Sequence, residues 1–315
     1  KEALLSSQIE GTQSSLSDLL LYEDEAAPGV PLDDVEEVST YVAALTHGLE
    51  RIRGGFPLSL RLLKEMHAIL LSSGRGSTKQ PGEFRRSQNW IGGTRPGNAL
   101  FVPPPPQHVL DLMSNLEAFL HETDSGLPPL IKAGLAHVQF ETIHPFLDGN
   151  GRLGRLLITL YLCEQGILDE PLLYLSLYLK SHRAKYYALL QEVREHGRWE
   201  TWLEFFLTGV RDVARQAHEA ARSISAIFAE DAVQISGLGR GAPAAQALHA
   251  ILQKRPLLTI GTAAELSGVT FPTATAALER LQALGIVEEI TGKARGRVFV
   301  YQRYLSLLEA GTEPL

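Results

Sequence analysis

His144-Pro145-Phe146-Leu147-Asp148-Gly149-Asn150-Gly151-Arg152-Leu153-Gly154-Arg155 is the stretch on which the reading of this chain turns. Pro145 closes a preceding helix, two glycines bracket Asn150, and Leu156, Leu157, Leu160 and Tyr161 give the next segment an amphipathic helical spacing. A glycine-rich turn that opens a helix presents free backbone N–H groups at the positive end of the helix dipole, which suits phosphate oxygens. Arg152 and Arg155, three apart in the first turn, share a face, and two guanidinium groups at a helix start oppose its dipole unless a polyanion sits there. Asp148 adds a hard oxygen of the kind that a Mg²⁺ held mainly by phosphates needs. His144 is the nearby side chain able to accept a proton near neutral pH. Each feature alone has a plain reading as a turn, a core histidine or a helix cap. Together they converge on one phosphate site. A Walker A loop is excluded because no Gly-x-x-x-x-Gly-Lys-Ser/Thr occurs, and a zinc pair is weakened because His137 and His144 lie two helical turns apart.

Outward from this stretch the chain reads mostly as helix. Leu60, Leu63, Met66, His67 and Leu70 form one stripe within 58–72, and 34–52, 107–122, 130–141, 153–164, 183–195 and 199–230 repeat the pattern. Between 72 and 106 it breaks into Gly, Pro, Ser and Thr. Asn89-Trp90-Ile91 and Ala99-Leu100-Phe101-Val102 are the extended pieces there, and the spacing predicts a hairpin with a long loop that leaves the strand at Pro103–Pro106. Glycines crowd 236–243, where a linker is expected. Beyond it, helices at 244–254, 262–266 and 272–284 precede an alternating stretch, 286–300, around the basic tip Gly292-Lys293-Ala294-Arg295-Gly296, an order that resembles a winged helix-turn-helix.

The composition fits this plan. The 315 residues are 44% hydrophobic, enough for more than one core, and carry 29 Lys plus Arg against 36 Asp plus Glu. The net charge of -7 argues against a whole-chain nucleic-acid coat, yet residues 243–315 hold seven basic against six acidic groups. No apolar run approaches a membrane span and the first residues lack a signal-peptide pattern, so no membrane partner and a cytoplasmic location are expected. The lone Cys163 sits in an apolar run and reads as a small buried thiol.

At this point the residues reach a resemblance. The opening stretch matches at every defined position the Fic motif, His-Pro-Phe-x-Asp/Glu-Gly-Asn-Gly-Arg-x-x-Arg. The likeness continues through Gly82-Glu83-Phe84-Arg85, Phe101-Val102-Pro103-Pro104, Tyr174-Leu175-Ser176, Tyr186-Tyr187 and Trp199-Glu200-x-Trp202. It implies a mostly α fold, a Fic-type helical core with a small β-hairpin flap over 31–235, followed by a winged helix-turn-helix over 244–315. It implies protein adenylylation: transfer of AMP from MgATP to a Tyr, Thr or Ser hydroxyl, with release of pyrophosphate. His144 is then similar to the family's general base, and Asp148 to its Mg²⁺ ligand. Gly149, Asn150 and Gly151 resemble the cradle of the α-phosphate, with the Asn150 side chain assisting. Arg152 and Arg155 resemble the clamps on the outer phosphates, and Tyr187 a residue lining the nucleoside pocket, while Arg194 stands where some members have Asn. Gly151 favours AMP transfer, since members that transfer phosphate place a Lys there. Ile91, Gly92, Phe101 and Val102 belong to the flap that would pair with an extended protein target.

Ser6-Ser7-Gln8-Ile9-Glu10-Gly11 reads in isolation as a helix ending at Gly11. Beside a Fic motif it resembles the inhibitory helix Ser/Thr-x-x-x-Glu-Gly/Asn, within an N-terminal segment 1–30, with Glu10 paired to Arg155. Two other functions share these residues: removal of AMP from a modified protein, and a DNA-binding regulator whose core only senses nucleotide. The last domain suits DNA through Lys293, Arg295 and Arg297, and equally a dimer or target-docking role.

Overall fold

Helices dominate the chain, in the order α1 Glu2–Ile9, α2 Leu16–Glu23, α3 Leu32–Arg53, α4 Leu60–Leu70, α5 Val109–His121, α6 Pro129–Ile143, α7 Asn150–Glu164, α8 Leu175–Ser181, α9 Arg183–His196 and α10 Trp199–Ser236. They are followed by α11 Ala242–Leu252, β1 Leu257–Thr259, α12 Ile260–Ser267, α13 Phe271–Ala283, β2 Glu288–Glu289, β3 Val298–Val300 and α14 Gln302–Glu309. The computed structural model describes residues 1–23, 32–123, 126–293 and 296–314. The end of the expected N-terminal segment, Ala294 and Arg295 of the basic tip, and Leu315 lie outside the described residues. Among the described residues no helix is long and apolar enough to cross a membrane.

Two compact units share the chain, and the division falls inside α10, between 215 and 216, rather than at the glycine-rich stretch 236–243. That stretch takes a short 3₁₀ turn at Gly239–Gly241 and enters α11 directly.

The larger unit is built around α7. Leu153, Leu156, Leu157, Leu160 and Leu162 are all buried, so the helix is enclosed on every side. It runs along α6, whose Ala133, Gly134 and Ala136 let neighbouring elements approach closely. α1 packs on α3, α7 and α8, and all of its side chains are buried. Glu2 holds it to α8 by accepting from the Ser176 N–H at 3.2 Å and from the Ser176 hydroxyl. Trp202 at the head of α10 is fully buried and donates from its indole N–H to the Gly134 carbonyl at 2.9 Å.

His137 stacks between Tyr186 and Trp202, donates from Nδ1 to the Gly154 carbonyl at 2.9 Å and accepts from the Tyr186 hydroxyl at 2.8 Å. Burial lowers its pKa to about 4. As pH falls from the unfolded value of 6.5 toward about 4, the unfolded chain therefore takes up a proton that the native one refuses. This imidazole then costs up to about 1.4 kcal/mol of stability per pH unit. The fall in melting temperature from about pH 7 to about pH 5 should be shallower in His137→Gln than in the parent, as scanning calorimetry would record.

In the second unit, α11, α12 and α13 surround a core of Leu248, Leu252, Ala263, Leu278, Leu281, Phe299 and Tyr301, which Ile235 of α10 joins. The sheet is antiparallel in the order β1-β3-β2, with Leu258 opposite Phe299 and Glu289 opposite Phe299. Asp231 of α10, fully buried, accepts from the Tyr301 hydroxyl and pairs with Arg303 at 3.3 Å. Arg297, read from the sequence as a wing cation, is paired with Glu279 at 3.0 Å.

The expected hairpin is much reduced. Its two pieces meet in one bridge, Ile91 with Phe101, with Ile91 N–H donating to Phe101 O at 2.9 Å. Gly92 and Gly93 both take φ of 69°, Pro96–Asn98 forms a 3₁₀ turn, and the Asn98 carboxamide accepts from the Thr94 and Arg95 N–H groups. The loop thus spends its backbone on itself, and the prolines from Pro103 onward have no N–H for a ladder.

Candidate active site

α6 ends at Ile143, and His144 caps it in the left-handed region, φ 49° and ψ 61°. The following Pro145 disfavours helical backbone at His144, and few side chains occupy that region without cost. The surroundings hold it there. Arg85, 2% exposed, donates to the carbonyls of His144 at 2.9 Å and Ile143 at 3.2 Å, and its own N–H donates to Pro145 O at 2.9 Å. The Asn89 amide donates to His144 O at 3.3 Å and Phe146 O at 3.0 Å. Phe146 stacks on His67, ring centroids 3.7 Å apart. His67 accepts at Nδ1 from the Gly82 N–H at 2.8 Å, which leaves its Nε2–H to donate to Asp148 O at 3.0 Å.

The turn then enters α7. Gly149 takes φ 73°, and the Leu153 N–H returns to its carbonyl at 3.0 Å, so the N–H groups of Asn150, Gly151 and Arg152 lie in the unpaired first turn. The Asn150 side chain does not reach the cradle: both ends of its amide are spent on the backbone of Phe146, at 2.8 and 2.9 Å. The Asp148 carboxylate accepts from the Gly149 N–H at 2.6 Å and is about one-third exposed.

Glu10 lies directly over this cradle. A Cβ placed on Gly151 would stand 2.3 Å from Glu10 Oε1, so only glycine admits the carboxylate there. The same oxygen pairs with Arg155 Nη2 at 2.7 Å, and Arg155 also donates to the Ser6 hydroxyl at 2.8 Å and the Ser6 carbonyl at 3.0 Å. Burial pushes the Glu10 carboxyl up, but Arg155, with Arg152 and Arg75 behind it, outweighs this and holds it below the usual range. Arg152, 1% exposed, is taken by Glu37 of α3 at 2.9 Å, and Arg75 bridges Glu37 at 3.3 Å to the Glu10 carbonyl at 3.1 Å.

A cavity of about 280 Å³ gathers Glu10, Trp90, Ile91, Glu141, His144, Gly151, Arg155, Tyr186, Tyr187, Leu190 and Arg194. Of the residues read from the sequence, His144, Gly151, Arg155, Tyr187, Glu10 and Ile91 therefore share one pocket. Phe101 stands at its edge under the Arg194 guanidinium, 4.4 Å from the ring centre, and Gly92 and Val102 are exposed on the loop. Burial, with Arg194 second, lowers the His144 pKa to about 4, so the imidazole is neutral and free to take a proton at pH 7. Glu141, Arg85, His67, Glu37 and Arg75 had no individual role in the sequence reading. Arg85 fell within a segment that carries the family likeness, His67 stood in an apolar helical stripe, and Glu37 and Glu141 lay in segments read only as helix. Among the described residues no three His, Cys, Asp or Glu side chains form a metal cluster.

Residues 57–162 match the Fic/DOC family and residues 1–50 match the Fic/DOC family N-terminal region. The chain is 34% identical over 191 residues to the protein adenylyltransferase Fic of Culex quinquefasciatus, covering 59% of this chain and 35% of that protein. It is 30% identical over 221 residues to the protein of the same name from Drosophila virilis, covering 66% and 42%. The chain thus spans well under half the length of these relatives. A crystal structure of a Fic family protein from Desulfovibrio desulfuricans shares the fold with a TM-score of 0.60 at 21% identity, over 95% of this chain and 86% of that one.

Proposed function

We propose, from the premise that this chain belongs to the Fic/DOC family, that it transfers AMP from ATP to a hydroxyl of a protein and that Glu10 restrains it. The observation that carries the reading is an anion already standing at the head of α7. The Glu10 carboxylate rests on Gly151 and pairs with Arg155, where the outer phosphates of a nucleotide would lie. The unpaired N–H groups of Asn150 and Gly151 receive the charge that builds on the α-phosphate, Gly149 shapes the turn while its own N–H is held by Asp148, and Arg152 and Arg155 take the outer phosphates. Tyr187, 40% exposed in the cavity, offers a face to the nucleoside. His144, neutral and part-buried beside the cradle, takes the proton of the attacking hydroxyl. Ile91, Gly92, Phe101 and Val102 present the edge on which an extended target segment is held.

Asp148 fits a phosphate-borne Mg²⁺, since its carboxylate is part-exposed beside the cradle and offers a hard oxygen there. When bound, the ion neutralises charge on the transferring phosphates. Asp148→Ala should therefore lose the dependence of activity on added Mg²⁺, a rate loss that metal titration would follow; unchanged metal dependence would leave Asp148 as a support for Gly149. The proposal itself is tested by intact mass after incubation of the Glu10→Gly chain with MgATP and candidate targets. A gain of one adenylyl group, with release of pyrophosphate, is expected, and a gain of one phosphoryl group would replace this reading.

A further inference from the structure

Two buried polar groups in the cavity have no hydrogen-bond partner: His144 Nδ1 and Glu141 Oε1. They belong to neighbouring side chains. Glu141 lies in the last turn of α6, 5% exposed, and its Oε2 stands 3.8 Å from His144 Nδ1. The carboxyl is given room by a second glycine of the motif helix, for a Cβ on Gly154 would meet Glu141 Oε1 at 2.6 Å. The backbone carbonyl of Glu141 is already engaged, accepting from Arg194 Nη2 at 3.0 Å, and Arg194 Nε donates to the Thr142 hydroxyl at 3.4 Å. Beside that carbonyl, which also faces the ring, the side-chain carboxyl is the charged acceptor within reach of the imidazole. A buried acid without a partner is costly, and a small turn of the carboxyl closes the gap. Catalytic hydrogen bonds are commonly long before substrate binds.

We propose that Glu141 is a positioning residue for the transfer: its carboxylate accepts the Nδ1–H of His144, fixes the tautomer with Nε2 toward the substrate, and stabilises the imidazolium that forms. This rests on the function proposed above. In the step, the target hydroxyl oxygen bonds to the α-phosphorus as the bond to pyrophosphate breaks, and the hydroxyl proton goes to His144 Nε2. The Nδ1 proton stays between His144 and Glu141 until Nε2 gives its proton to solvent.

The charges around the pair explain why it needs two members. Facing Glu141 are Arg155 from α7, Arg194 and Tyr186 from α9, and Glu10 from α1; facing His144 are Arg194, Glu10 and Arg85. Burial raises the Glu141 carboxyl to about 7 against the pull of the two arginines, while burial and Arg194 lower His144 to about 4. Near neutral pH the proton therefore leaves the Glu141 carboxyl while the imidazole is already neutral. Only the ionised carboxylate can accept the Nδ1–H and stabilise the imidazolium, so the rate should rise as pH climbs through that step.

The test uses the full chain in the Glu10→Gly background, which frees the site. Glu10→Gly and Glu10→Gly/Glu141→Gln are compared for kcat and KM in transfer from α-labelled ATP across pH, with histidine ring resonances followed by NMR in both. Glutamine keeps shape and hydrogen bonding but cannot carry the charge. The expected result is a fall in kcat of about 10- to 100-fold with the KM for ATP held within about twofold. The acidic limb of the pH profile should move to lower pH, and the change that the His144 ring resonances report as Glu141 ionises near neutral pH should disappear. Glu10→Gly/Glu141→Ala, which also loses the hydrogen bond, should be slower still. An unchanged pH profile and an unchanged response of the His144 ring resonances in the glutamine variant would overturn the proposal. If Glu10→Gly itself transfers no label, the function proposed above fails, while the NMR arm still decides whether Glu141 governs His144.

Discussion

Glu10→Gly should raise the rate of AMP transfer by about 10- to 100-fold, the equivalent of the roughly 1.5–3 kcal/mol that a charge-assisted hydrogen bond contributes. Arg155 Nη2 is bound to Glu10 at 2.7 Å, and the carboxylate lies over Gly151 in the path of the phosphates. Removing it returns the guanidinium to the nucleotide and takes a negative charge out of the anion site. The gain depends on one shared partner, so Glu10→Gly/Arg155→Ala should not be activated, a non-additivity that a double-mutant cycle reads directly. Stability should move differently. Arg155→Ala alone strands a part-buried carboxylate and the Ser6 acceptors, a loss of about 1–3 kcal/mol. The double variant should recover part of that loss, and chemical denaturation of the three proteins would show it.

Replacement of His144 should bring the opposite effect, a loss of about 10²- to 10⁴-fold in transfer with little change in ATP binding. The cradle proposed for the nucleotide is backbone at the start of α7, and it does not depend on the imidazole. Because His144 sits at φ 49°, a region that histidine occupies more readily than alanine, alanine adds a small backbone cost to the chemical one. Asparagine tolerates that region and carries no base near neutral pH, so His144→Asn separates the two. Both should bind labelled ATP like the Glu10→Gly parent and transfer none of it at a comparable rate. Transfer at the parental rate by the asparagine variant would remove His144 from the chemistry.

Much of the site was legible because it is nearly contiguous. The turn, its two glycines, the base and the arginines fall within residues 144–155, where local rules of helix starts and anion binding apply. The ion pair of Glu10 with Arg155 is different: no periodicity connects two residues so far apart, and only the resemblance pointed to it. What could not be read is what the tertiary fold brings from elsewhere. Arg85 braces His144, His67 stacks on Phe146, and Glu37 and Arg75 hold Arg152, each from a segment whose own pattern says only helix or loop. Glu141 was hidden in another way, as a charged residue inside an otherwise apolar helix, which is the signal that could have found it. Long helices were the most legible part of the fold. The flap was overread because alternating apolar residues at 99–102 suggest a strand, whereas Gly92, Gly93 and Pro96 turn the backbone onto itself and leave one bridge. The asparagine of the cradle was misassigned for a similar reason, since an amide beside an anion site can equally clip its own loop, as Asn150 does.

The most direct measurement incubates the Glu10→Gly chain and its His144→Asn derivative with ATP labelled at the α-phosphate in one set and at the γ-phosphate in another, and counts label retained on protein. Nucleotidyl transfer by this site predicts α-label on protein with Glu10→Gly, none with the derivative, and no γ-label with either. Retention of γ-label, or equal α-label with and without His144, would contradict it.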